Sequence, residues 1–155
     1  MILGLHDLIY AVSKVRVILE DGTSKSKVQS SGTVFFVLKN GKEFLITNRH
    51  VVDPERINGL KGKGFELSQL FVDRRVFDER TLSTKTEELL VKSCCLTYPD
   101  NDCDDIACIS DFGYEKEPTI GYTRIDVELF ALQEMFYSSI SICDMLAFYW
   151  ILRSI

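Results

Sequence analysis

One histidine stands where a strand and a turn could hold an imidazole for proton transfer. The run Ser31-Gly-Thr-Val-Phe-Phe-Val-Leu-Lys-Asn-Gly-Lys-Glu-Phe-Leu-Ile-Thr-Asn-Arg-His-Val-Val-Asp53 places His50 just past a buried strand, on the turn that follows. The strand fixes where the turn begins, so the turn can present the ring at the rim of a barrel. The other histidine, His6, has no such setting and is read as structural or merely exposed. Downstream, Pro99-Asp-Asn-Asp-Cys-Asp-Asp-Ile-Ala-Cys-Ile109 concentrates carboxylates. Asp100, Asp102 and Asp104 open like a helix-loop-helix calcium loop, but its sixth position is Asp105 rather than Gly and its twelfth is Asp111 rather than Glu. A solvated turn is the better reading. Cys94, Cys95, Cys103 and Cys108 form no Cys-x-x-Cys pair, so they are read as small strand residues and no metal site is assigned.

These residues need elements to hold them. Val15, Val17 and Leu19 alternate with Lys14, Arg16 and Glu20, which predicts a half-buried strand closed by the Asp21-Gly22 turn. A polar stretch, Thr23 to Ser31, leads to apolar runs at Gly32 to Leu38 and Glu43 to Thr47. Asn40-Gly41 lies between them and is the strongest hairpin signal in the chain, because both residues tolerate the positive φ of a type I′ turn. Asp53-Pro54 and the glycines at 59, 62 and 64 mark a loop. Further strands are predicted at Phe65 to Val72, Leu89 to Leu96 and Ile106 to Ile109, with Arg74 to Lys85 charged and irregular. Six short strands separated by turn chemistry, with no long helical pattern among them, predict a small antiparallel barrel or sandwich.

The ends read differently. Leu5, Leu8, Ile9 and Val12 recur at helical spacing and predict a short N-terminal helix. After Pro118, Leu129, Leu132, Met135 and Phe136 fall on one helical face, and residues 139–155 carry one acid, Asp144, and one base, Arg153. Such a segment is either buried against something or foreign to the fold; a partner-binding helix and a shifted reading frame are both open readings.

The 155 residues, 46% hydrophobic and 26% charged, can bury a core, and one domain is the natural expectation. Net charge is −5 without a block of basic residues, which argues against nucleic acid or an anionic membrane as partner. The apolar stretch 139–152 is short for a membrane span and contains Asp144. Five cysteines, an odd number, and no signal-peptide pattern predict reduced thiols and a cytoplasmic setting.

Taken together, Gly32, Phe35-Phe36-Val37 and Leu45-Ile46-Thr47-Asn48-Arg49-His50-Val51-Val52 resemble the first-barrel signature of trypsin-like, chymotrypsin-type serine peptidases. Val51 stands where secreted digestive members carry a disulfide cysteine, so the likeness is to bacterial intracellular-type members. The resemblance runs over roughly residues 10–112 and extends to Asp105-Ile106-Ala107-Cys108-Ile109, similar to the family's Asp-Leu-Ala-Val-like element. It implies that His50 is the general base and that Asp105, 55 residues on, accepts the Nδ1 proton and orients the ring, with Asp104 as the neighbouring fallback.

The family's nucleophile lies in a Gly-x-Ser-Gly turn. After Asp105 the serines are Ser110, Ser138, Ser139, Ser141 and Ser154, none followed by glycine, and Cys143 also lacks flanking glycines. The resemblance therefore implies an all-β fold, a six-stranded antiparallel barrel over residues 1–125 with a short N-terminal helix, followed by an atypical apolar tail over 126–155. It implies a serine endopeptidase acting on protein or peptide substrate without metal or organic cofactor. The chain as written is expected to be inactive, a truncated or altered form. The alternative is a non-catalytic barrel that binds protein.

Overall fold

The computed structural model describes residues 10–120 and 124–126. The predicted N-terminal helix and the tail therefore lie outside the described residues, apart from their inner ends. Those ends are strands: Val12, placed above on the helical stripe, opens the first strand, and the expected boundary at 125/126 falls inside the last one.

The chain is all-β, with strands β1 (Val12–Asp21), β2 (Lys27–Lys39), β3 (Lys42–Thr47), β4 (Phe65–Asp78), β5 (Ser83–Lys92), β6 (Cys95–Thr97), β7 (Ala107–Ser110), β8 (Gly113–Tyr114) and β9 (Ile125–Asp126). One helical turn, α1 (Arg49–Val52), and a 3-10 turn, Pro54–Arg56, follow β3. The strands form one sheet in the order β6-β7-β3-β2-β1-β4-β5-β8, and β9 lies parallel to β2 at Val37 and Leu38.

The Asn40-Gly41 turn forms as predicted, with φ of 50° and 73°, and joins Lys39 to Lys42. Alternation also holds: Val15, Val17 and Leu19 are fully buried and meet Val34, Phe36, Leu45, Leu70, Val72, Leu89 and Ile109 in the main core. A register shift between Ile18 and Leu19 where β1 meets β4 adds local twist, as an extra residue in one strand does.

Three expectations need correction. Arg74 to Lys85 is not irregular: β4 runs to Asp78, β5 starts at Ser83, and Asp78 pairs with Ser83 across the tip. This two-stranded ribbon hides its order from periodicity because its side chains are polar or only half-buried and its backbone bonds are satisfied within the pair. The polar stretch before Gly32 likewise belongs to β2 from Lys27 onward, paired with β1. The run Leu89 to Leu96 is two strands, broken at Ser93-Cys94, where Ser93 takes φ of 51°. β5 pairs with β4, and β6 pairs with β7, so the chain turns this corner between two distant parts of the sheet.

Candidate functional site

β3 and β7 are antiparallel, with Thr47 opposite Ala107. Continuing that register past both strand ends brings Arg49 level with Asp105, so residues distant in sequence leave the sheet side by side. The turn after β3 is anchored on its inner side. Val51 and Val52 are each 1% exposed, and the buried Thr47 hydroxyl donates to the Thr33 carbonyl at 2.6 Å. Gly32 makes room for the turn, since a Cβ there would come within 2.5 Å of Val51 Cγ2. With Val51 and Val52 committed to the core, His50 is left on the outer side, its side chain 56% exposed.

Asp105 meets His50 twice. The His50 backbone N–H donates to Oδ1 at 2.9 Å, and Nδ1 lies 2.5 Å from Oδ2. An ionised carboxylate can only accept, so Nδ1 carries the hydrogen and, in the neutral ring, Nε2 is the basic nitrogen. Asn48 adds a third hold: its amide Nδ2 donates to Asp105 Oδ2 at 3.2 Å and to the Asp105 carbonyl at 3.3 Å. Burial pushes the Asp105 carboxyl up, but the His50 amide and imidazole, with Asn48, outweigh it and hold the group below its ordinary value. Asp104, the fallback, instead donates its backbone N–H to the Asn101 carbonyl within the acidic turn.

Arg49 ties the acidic turn to α1. Its Nε donates to Asp53 at 2.8 Å, its NH1 to Asp102 at 3.3 Å, and its guanidinium lies over the Tyr98 ring at 4.4 Å. Arg56 reaches the same Asp102 oxygen at 2.7 Å. The turn is thus held at its start by Tyr98, midway by Asp102 and at its end by Asp105. Sequence reading missed Asn48, Arg49, Tyr98 and Asp102. Only the four-residue spacing of Arg49 and Asp53 was available as a signal; the other contacts depend on the β3–β7 register. Asp102 answers two arginines, which accounts for one carboxylate of the acidic run without a cation. Among the described residues no group of three or more His, Cys, Asp or Glu could hold a metal.

Ser110, the one serine after Asp105 among the described residues, lies at the other end of β7, opposite Cys95 of β6. There it lines a concavity of about 600 Å³ with Lys42, Glu43, Phe112 and Tyr114. This hollow is therefore not the place where His50 and Asp105 meet. The later serines and Cys143 lie outside the described residues. Among the described residues, no helix is long and apolar enough to cross a membrane. No family model and no curated protein matches the chain.

Proposed function

We propose that this chain is a serine-peptidase-type barrel carrying the general base, His50, and its orienting acid, Asp105, without the nucleophile they would serve. The observation that carries the reading is the double contact of Asp105 with the His50 amide and Nδ1. That arrangement fixes ring orientation and tautomer together, which is what a general base needs before it can take a proton through Nε2. Strand order supports a trypsin-type barrel. With β5 and β6 taken as one strand bent at Ser93-Cys94, the circuit β1-β2-β3-β7-β6/β5-β4 returns to β1 with six strands.

In the full reaction, Nε2 would accept the proton of a serine hydroxyl as that oxygen attacks the scissile carbonyl, and would then return it to the leaving amine. The serine pattern after Asp105 supplies no turn with flanking glycines to offer that hydroxyl and its oxyanion donors. The same fact favours a second reading, a non-catalytic barrel that binds protein. Casein hydrolysis beside a His50→Ala control tests the proposal. No difference is the expected outcome, and a His50-dependent rate would refute the absence of a nucleophile.

A further inference from the structure

Asn48 stands where a side chain ordinarily caps a helix. It is the N-cap of α1, with φ of −72° and ψ of 139°, and asparagine is among the residues best suited to that place. A capping side chain accepts from the N–H of the second or third helical residue. Asn48 makes no such bond. The N–H of His50, the second residue of α1, goes instead to Asp105 Oδ1 at 2.9 Å, so a carboxylate from the acidic turn does the capping. The freed amide is spent on Asp105 itself. Its Nδ2 lies 3.2 Å from Oδ2 and 3.3 Å from the Asp105 carbonyl, and because both are acceptors, the nitrogen of the amide must face them. Oδ2 is also the oxygen that meets His50 Nδ1.

We propose that Asn48 is a positioning residue for the His50–Asp105 pair, fixing the carboxylate rotamer that offers Oδ2 to Nδ1 and thereby the tautomer of the ring. This deepens the peptidase reading of that pair and rests on it. The need for such a residue follows from exposure. The Asp105 side chain is 47% exposed, and the His50 amide holds only Oδ1, so without a second donor water competes with the ring for Oδ2. Asn48 ties that oxygen to the Asp105 backbone through one NH2 group. A neutral donor suits the task, since a lysine or arginine in its place would cancel the negative charge that favours a proton on Nδ1. Against the upward push of burial, the Asn48 amide joins the His50 amide and ring in holding the Asp105 carboxyl below its ordinary value.

Nitrogen-15 resonances of the His50 ring and a carbon-13 titration of the Asp105 carboxyl, both in the full chain, test this. Asn48→Ser keeps a good N-cap but lacks the reach of the amide, and Asn48→Ala removes cap and donor together. Asn48 is exposed, so both variants are expected to fold. Both should cut the ratio of Nδ1–H to Nε2–H in the neutral ring about fivefold, the worth of one ordinary hydrogen bond. Both should also move the Asp105 titration up toward the ordinary carboxyl value. A capping role alone would leave Asn48→Ser like the native chain; that result, or a ring and carboxyl unmoved in Asn48→Ala, would overturn the proposal. With one variant unfolded, the other carries the same decision. Asp105→Ala separates this role from the reading beneath it. If it shifts the ring resonances and the Asn48 variants do not, the pair stands and the role of Asn48 falls. If it leaves them unmoved, the pair itself fails, and the role of Asn48 with it.

Discussion

Gly32→Ala tests how the fold places His50. A Cβ at residue 32 would lie 2.5 Å from Val51 Cγ2, against an ordinary carbon contact of about 3.5–4.0 Å. Strand and turn must therefore part by roughly 1 Å. Val51 is 1% exposed and packed into the main core, so it has little room to retreat. Overpacking of this kind costs about 1–3 kcal/mol. Alanine recovers about 0.5–1 kcal/mol of that, because glycine is the poorer strand residue. The expected net loss is about 1–2 kcal/mol by urea denaturation, with a shift of the His50 ring resonances as the turn moves. Val51→Ala alone should cost about 2 kcal/mol through its cavity. Combined with Gly32→Ala, it removes the colliding methyls, so the double variant should be more stable than the sum of the singles by about 1–2 kcal/mol and should restore the ring resonances. Additivity within about 0.5 kcal/mol would refute the claim that Gly32 is needed to seat α1.

Arg49→Ala removes the Tyr98 stacking and two ion pairs; a loss of about 1–2 kcal/mol is expected, with faster hydrogen exchange at the Asp104 amide, and Arg49→Lys should restore only part of it. Unchanged exchange would show that the acidic turn holds itself. Because the folded Asp105 carboxyl titrates below its ordinary value of about 3.9, its contribution is present above that pH and is lost as pH falls through the folded value. The stability gap between the native chain and Asp105→Asn should therefore be open near neutrality and narrow below about pH 4; a gap that widens in acid would contradict this. Burial pushes the Tyr114 phenol up to about 12, where it lies under the Arg74 guanidinium and beside Glu43. A late step in the ultraviolet titration is expected, absent in Tyr114→Phe, with stability falling as pH rises from about 10 through about 12.

The parts of the fold legible in the sequence are those where one side chain in two must be buried. Lys14 to Glu20 alternates because β1 has one face in the core, and Asn40-Gly41 is legible because few residue pairs tolerate positive φ at both positions. The β4–β5 ribbon around residues 74–85 is stabilised by pairing between strands, which leaves no alternation to read. The pair at β9 is too short to carry a pattern, and its place is set by β2. At the site, His50 was legible from its turn, and Asp105 through the resemblance of the segment after it. Asn48, Tyr98 and Asp102 were not, because their roles arise only when the β3–β7 register sets the two turns side by side.

The central claim concerns which nitrogen of His50 is left to act as a base. Nitrogen-15 resonances of the ring in the native chain measure this directly. In the neutral ring, a proton on Nδ1, held by Asp105, and a bare Nε2 are expected, with that preference lost in Asp105→Ala. A neutral ring protonated on Nε2, or resonances unmoved by Asp105→Ala, would contradict it.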